Sequence, residues 1–146
     1  MPNANNAKLV KITTRALGGG VPTDNPLSAA YAQFDVVVEG RAGRVLGVSS
    51  QPYELQISAL DLTTGTNPHT AANNFSQRRM ERFDAAHGWP DKVARFIVTL
   101  DDPPAVQGHL FRYYAILTSA NQVVSFVESQ IFLLYQHEVD LGSLEF

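Results

Sequence analysis

The side chains best suited to acid–base chemistry are four histidines, and they are scattered along the sequence. They are His69, His87, His109 and His137. None forms a His-x-His pair or a helical His-x-x-x-His pair, so a metal site would have to be assembled by the fold. His87 stands out because Asp84 precedes it and Trp89 follows it. The carboxylate could orient the imidazole for proton transfer, although a cation near a helix end is the simpler interpretation.

Three arginines in the segment "RRMER" could bind an anion. They are Arg78, Arg79 and Arg82. On a helix, Arg78 and Arg82 would share one face and could clamp a carboxylate or phosphate. Glu81 and Asp84 nearby favour a solvated charged surface instead. These arginines, with His87 and Trp89, are the predicted ligand-binding residues.

The remaining motifs predict no catalytic residue, metal or cofactor. The segment "LGGGVPTDNP" lacks the lysine of a Walker motif and the Gly-x-Gly-x-x-Gly pattern, so it is expected to be a connector. Four aspartates lie in or near loops without EF-hand spacing: Asp24, Asp61, Asp101 and Asp102. There is no Gly-x-Ser-x-Gly motif to present a serine nucleophile.

Composition predicts a folded protein without a nucleic-acid or membrane partner. The chain has 146 residues, with 45% hydrophobic and 17% charged side chains, and a formal charge of -3. This hydrophobic content is well above that of disordered chains, and the charge would not attract nucleic acid or anionic lipid. The sequence also lacks cysteine, a signal-peptide pattern and an apolar run long enough to span a bilayer. We therefore expect one cytoplasmic domain over 1–146, with a flexible arm at 1–7 and a loosely held tail at 138–146.

Alternation of apolar and polar residues predicts strands through most of the chain. The segments 8–17, 30–40, 53–62 and 93–100 alternate with a period of two residues. In the first of them Val10, Ile12 and Ala16 are expected to face the core. A short edge strand is also predicted around Val45.

The segment 74–88 loses this alternation and predicts a short helix or a long ordered loop. Asn74 could cap a helix whose end would lie at Gly88, just before Pro90. The alternative is a strand with an arginine-rich edge. Either way, strands separated by turns predict an all-β fold, an antiparallel β-sandwich that is immunoglobulin-like in general architecture. The segment "GHLFRYY" after "VTLDDPP" is similar to the E-to-F corner of such sandwiches.

The most apolar stretch, 108–137, predicts a hairpin with a turn at "TSANQ". With Ser119, Ala120 and Asn121 as the loop, Arg112 lies opposite Glu128, and Tyr114 lies opposite Phe126. Both faces of this hairpin are largely apolar, so something must cover the second face. A helix, a loop or a second copy of the protein could do so.

These patterns predict a non-enzymatic module that binds protein, including its own copies, through apolar sheet surface. Five residues are assigned to the interface: Tyr113, Tyr114, Phe126, Phe132 and Leu134. A homo-oligomer or another protein is the expected partner. The alternative is a small-ligand or catalytic site under the segment 63–91.

Overall fold

A computed structural model describes residues 6–18, 20–27, 32–101, 106–120 and 122–135. Residues 1–5 of the predicted arm at 1–7 and the whole predicted tail at 138–146 lie outside these ranges, as do Asp102 and His137. Within the described residues, no helix is long and apolar enough to cross a bilayer.

The described residues form two antiparallel sheets. One sheet has the strand order β1-β2-β5, and the other has the order β4-β3-β6-β7 with β8 paired to β6. The strands are β1 (Ala7–Ala16), β2 (Gln33–Ala42), β3 (Pro52–Asp61), β4 (Gln77–Arg82), β5 (Asp91–Thr99), β6 (His109–Ser119), β7 (Gln122–Glu128) and β8 (Phe132–Leu134). The predicted antiparallel β-sandwich is confirmed.

The core lies between the sheets because alternate residues of each strand point inward. Phe34 on β2 lies at its centre, with ring centroids 6.5 Å from Tyr113 on β6 and 6.2 Å from Phe132 on β8. All three side chains are almost fully buried. Burying aromatic rings of this size accounts for a large part of the hydrophobic stabilisation of a small sandwich.

The predicted helix at 74–88 is wrong, and the alternative of an arginine-rich edge strand is correct. Residues 77–82 pair with β3, and Met80, which a helix would have buried, is 78% exposed. The pairing supplies β3 with backbone hydrogen bonds from Pro52 to Ile57, which outweighs a weak local helix preference. Helical structure here is reduced to a 3-10 turn at Ala85–His87, where the Asp84 side chain accepts the His87 N–H and Gly88 adopts a positive φ of 91°.

Side chains from β4 close one seam between the two sheets. Gln77 Nε2 donates to the carbonyl oxygen of Ile97 at 2.8 Å, and an Arg79 guanidinium nitrogen donates to that of Arg95. The Arg79 guanidinium also lies 4.0 Å from the ring centroid of Phe96. The inward-facing polar side chains of β4 therefore satisfy the exposed edge of β5, which would otherwise be free to pair with another strand.

Two local predictions on the other sheet need correction. Val10 is 42% exposed, whereas Leu9 is buried, because the β1–β2 register shifts between Leu9 and Lys11. Such a bulge moves following side chains to the opposite face. The segment around Val45 is not a strand, since a 3-10 turn at Leu46–Val48 occupies that place.

The predicted hairpin forms, but its register differs. Ile116 pairs with Phe126, and Tyr114 pairs with Glu128. The loop is one residue shorter than predicted, since Ser119 pairs with Gln122, and a register shift between Leu117 and Thr118 adds the second residue. A shift by two residues keeps each side chain on its own face. Both predicted contacts therefore survive diagonally: the Tyr114 and Phe126 rings stack with centroids 6.2 Å apart, and Arg112 Nη1 lies 3.9 Å from Glu128 Oε2.

Candidate interface on the outer sheet face

Four apolar side chains form a continuous surface on the outer face of the larger sheet. They are Tyr114 and Ile116 on β6 with Val123 and Phe126 on β7, and we call them the outer patch. Val123 is 68% exposed and Phe126 is 56% exposed, so no described segment of the chain covers them. Exposed apolar surface that is contiguous, rather than scattered singly, is characteristic of interaction sites.

The strands hold the outer patch in a fixed arrangement. Ile116 and Phe126 are direct register partners, and the stacked rings of Tyr114 and Phe126 are inclined by 14°. Val123 pairs with Thr118, and a register shift lies between this pair and the pair of Leu117 with Ser125. Because aromatic rings with two torsions lose little entropy on binding, a preformed aromatic pair is well suited to contact another protein.

One ion pair borders the outer patch and is incompletely formed. Arg112 and Glu128 approach at 3.9 Å, with side chains 33% and 50% exposed. Arg112 Nε is buried and has no hydrogen-bond partner. A buried donor without a partner is costly, and because this atom is enclosed by the chain an acceptor on another molecule cannot reach it.

The structure separates the five residues predicted for the interface. Tyr114 and Phe126 belong to the outer patch. Tyr113, Phe132 and Leu134 do not, since all three are buried in the core of this chain and cannot reach another molecule. Adjacent residues in a strand point to opposite faces of the sheet, so Tyr113 and Tyr114 cannot both belong to one surface.

The predicted ligand-binding residues do not converge on one cavity. Arg78 and Arg82 lie on the outer face of β4, where Arg78 is 4.0 Å from Glu54 and Arg82 Nη1 donates to the Ser50 carbonyl at 2.9 Å. Arg79 points inward to the β5 edge, as described above. A shallow recess of about 270 Å³ under the segment 63–91 is lined by Gln56, Ser76, Gln77 and Arg78, and it therefore contains one residue of the predicted set.

Trp89 and His87 belong to a polar network at one end of the sandwich. Trp89 is buried, and its Nε1 donates to the Tyr53 hydroxyl at 3.0 Å. That hydroxyl donates in turn to Glu81 Oε1 at 2.7 Å, and Lys92 Nζ lies 3.0 Å from the same oxygen. Every member therefore has a partner within the chain, which is typical of a structural network.

Three pKa shifts follow from this network. Burial raises the pKa of Tyr53 well above its ordinary value, and the adjacent Glu81 adds to the effect. Burial opposes ionisation of Glu81, yet hydrogen bonds from Tyr53 and Lys92 outweigh it and hold the Glu81 pKa below its usual range. The hydrogen bond from His87 lowers the pKa of Asp84, whose Oδ1 is 2.7 Å from His87 Nδ1. The predicted Asp84–His87 contact is confirmed, on a 3-10 turn.

A second histidine–carboxylate pair lies at the junction of β3 and β6. His109 Nδ1 is 2.7 Å from Asp61 Oδ2, and the other oxygen of Asp61 accepts the N–H groups of Thr63 and Thr64. The two partners are 48 residues apart in sequence, so no local spacing could have indicated the pair. Within the described residues, no group of three or more metal-ligating side chains accompanies it or occurs elsewhere.

A groove of about 360 Å³ lies between β1 and the segment that joins β7 to β8. Its lining comes from positions 11–14, 22–24 and 128–132. Lys11 is engaged with Glu39 at 3.3 Å, and the buried Ser129 Oγ donates to the Gln130 carbonyl. None of the predicted ligand-binding residues lines this groove.

Fold and site together define an immunoglobulin-like β-sandwich that presents an apolar outer face. No family model and no curated protein matches the chain. Among solved structures, it is similar to a Bacteroides fragilis chain described as a beta-galactosidase, with a TM-score of 0.57 and 13% identity over 86% of this chain. It is also similar to a glycosyl hydrolase family 2 member from Bacteroides cellulosilyticus, with a TM-score of 0.48, 12% identity and 90% coverage.

A third similar structure is a Bifidobacterium dentium beta-glucuronidase in complex with coumarin-3-O-glucuronide. Its TM-score is 0.44, with 14% identity over 88% of this chain. The chain spans 17%, 15% and 18% of the lengths of these three proteins, in the order given. At 13% identity the likeness to the Bacteroides fragilis chain establishes the fold alone, because one sandwich fold serves many unrelated functions.

Proposed function

We propose that this chain is a non-enzymatic β-sandwich module that binds protein through the outer patch. The observation that carries the proposal is the exposure of Phe126, a large aromatic side chain that is 56% exposed while stacked on Tyr114. A lone exposed apolar residue would need no explanation, but here Val123, Ile116 and the two rings are contiguous. Covering them would remove apolar surface from water, which stabilises association.

The internal partners of the polar groups favour binding over catalysis. Arg79, His87 and Trp89 each contact groups of this same chain. A catalytic constellation would instead direct such groups toward a shared space for a substrate. The outer patch differs, because its side chains have exposed faces that no described segment meets.

Site-specific photo-crosslinking tests the proposal. A photoreactive phenylalanine analogue is placed at Val123 in the outer patch or, as the control, at Val93, which is 64% exposed on the smaller sheet. The purified chain is irradiated alone and with extract of its source cells. We expect protein adducts at position 123 that disappear when Phe126→Ser is added, because the serine removes the aromatic contact. Equal adduct formation at positions 123 and 93, or none at 123, would contradict protein binding through this face.

A further inference from the structure

We infer that the protein partner of the outer patch presents an extended segment with an apolar side chain at one end and a carboxylate side chain at the other. The inference rests on the proposed function and specifies the chemistry of the partner. It is carried by the recess of about 270 Å³ that is lined by Gln56, Ser76, Gln77 and Arg78. We call it the polar recess, and it lies on the same outer face as the outer patch.

One row of outward side chains joins the polar recess to the outer patch. Gln56 on β3 pairs with Arg78 on β4 and, on its other side, with Ile116 on β6. Ile116 pairs in turn with Phe126 on β7. Adjacent strands are about 4.8 Å apart, so the three steps from Arg78 to Phe126 span roughly 14 Å. One short segment of a partner can therefore contact both ends of the row.

The described residues that line the polar recess can donate hydrogen bonds, and none of them carries a negative charge. They supply one guanidinium group, two side-chain amides and one hydroxyl group. The Arg78 side chain is 70% exposed, and Nη1 approaches its ion-pair partner Glu54 only to 4.0 Å. A guanidinium has five N–H donors, so one distant contact leaves most of them able to bind another acceptor. A carboxylate is the protein side chain that accepts such charge-assisted bonds best.

The charges on the outer face set the direction of the bound segment. β4 presents two guanidinium groups outward, those of Arg78 and Arg82, whereas β7 presents the carboxylate of Glu128. Arg112 on β6 stands 3.9 Å from Glu128 and neutralises it in part. The β4 end of the face is therefore the more positive one, and a partner carboxylate is more stable there than over β7. The apolar end of the segment then lies on Phe126.

The length of the row sets the spacing of the two side chains in the partner. An extended chain advances about 3.3 Å per residue and places every second side chain on one face. Side chains four residues apart therefore share a face and lie about 13 Å from one another, which matches the row. We expect the partner segment to carry an aspartate or glutamate four residues from a large apolar residue.

Selection from a library of random linear peptides tests the inference. Peptides are selected on the purified wild type, and those whose binding is lost in Phe126→Ser are sequenced. We expect the acidic and apolar residues at the stated spacing. These peptides should bind Arg78→Glu at least about tenfold more weakly, because two carboxylates then meet. A selection repeated on Arg78→Glu should recover lysine or arginine at the acidic position.

The matched control is Arg41→Glu, because Arg41 is 61% exposed but lies on the smaller sheet. It should bind the selected peptides like the wild type. Each variant must melt within a few degrees of the wild type, and Arg78→Gln, which only removes the charge, replaces Arg78→Glu if the reversal impairs folding.

The possible outcomes separate this inference from the proposed function. Peptides that depend on Phe126 but carry no acidic residue at the expected spacing would overturn the inference and leave protein binding at the outer patch intact. The same holds if the peptides bind the Arg78 variants as tightly as the wild type. A selection that recovers no peptide dependent on Phe126 would contradict the proposed function, and the inference with it.

Discussion

At the scale of single residues, the Tyr53 hydroxyl is held by two side-chain hydrogen bonds. It accepts a hydrogen bond from Trp89 and donates one to Glu81, while its ring packs against Phe83 with centroids 4.5 Å apart. Removing the oxygen would leave a buried indole N–H without an acceptor. Buried donors that lose their partner cost more than the hydrogen bond itself contributed.

We therefore expect Tyr53→Phe to lower the free energy of unfolding by about 1–3 kcal/mol. Tyr114→Phe is the matched control, since it removes the same atom from a ring on the outer face and should change stability by about 0.5 kcal/mol or less. Urea unfolding of both variants measures the difference. Equal effects of the two substitutions would show that the Trp89–Tyr53–Glu81 network does not stabilise the fold.

Side-chain contacts could be predicted from the sequence where the two partners are close together in the chain. The Asp84–His87 contact follows from a short sequence spacing, and it forms even though the predicted helix does not. The Asp61–His109 pair depends on how β3 and β6 meet, so only the tertiary structure reveals it. Burial of Tyr113 but not of Tyr114 required knowledge of which face of β6 meets the core.

At the scale of elements, β4 shows how one strand can close a sandwich with its side chains. Apart from the exposed Met80, its side chains are polar on both faces, with Arg78 and Arg82 outward and Gln77, Arg79 and Glu81 inward. A strand of this composition shows no alternation of apolar and polar residues, which is why the sequence favoured a helix. The pairing with β3 and the acceptors on β5 are supplied by segments distant in the chain.

Substitution of Arg79 tests this role. Arg79→Ala removes the contact with the Phe96 ring and the donor to the Arg95 carbonyl, so we expect a loss of roughly 1–2 kcal/mol in the free energy of unfolding. Arg78→Ala, on the adjacent outward position, should change it by about 0.5 kcal/mol or less. Guanidinium chloride unfolding distinguishes the two. If Arg78→Ala were the more destabilising, the seam would not depend on Arg79.

The predicted strands were reliable where one face is buried throughout. Phe34, Val36 and Val38 face the core on β2 as the alternation indicated, and so do Leu55 and Ile57 on β3. The errors occur where alternation breaks. The bulge after Leu9 exposes Val10, and a short turn together with an irregularity between Leu117 and Thr118 shifts the hairpin register. A bulge inserts one residue without any composition signal, so periodicity cannot locate it.

At the scale of the whole molecule, binding at the outer patch would couple stability to the concentration of the partner. A partner that covers the outer patch adds binding free energy to the folded state alone, so the melting temperature rises with partner concentration. An interface limited to four apolar side chains is small, as in weak or transient association.

We expect the melting temperature of the wild type to rise by a few degrees when a selected peptide is raised from low to high micromolar concentrations, as mass action requires. Phe126→Ser should melt at the same temperature at every peptide concentration. Differential scanning calorimetry over a peptide dilution series measures both. A wild type whose melting temperature is independent of peptide concentration would show that the folded chain does not bind the peptide.

The two long seams of the sandwich are closed by different means. The seam between β4 and β5 is bridged by the side chains of Gln77 and Arg79, whereas at the opposite seam β1 packs directly against β7 and the Leu9 N–H donates to Ser125 Oγ at 2.9 Å. Local opening begins where the fewest interactions must break. Amide hydrogens of β5 should therefore exchange with deuterium before those of β1, and the molecule would open first along the β4–β5 side while the β1–β7 side stays closed.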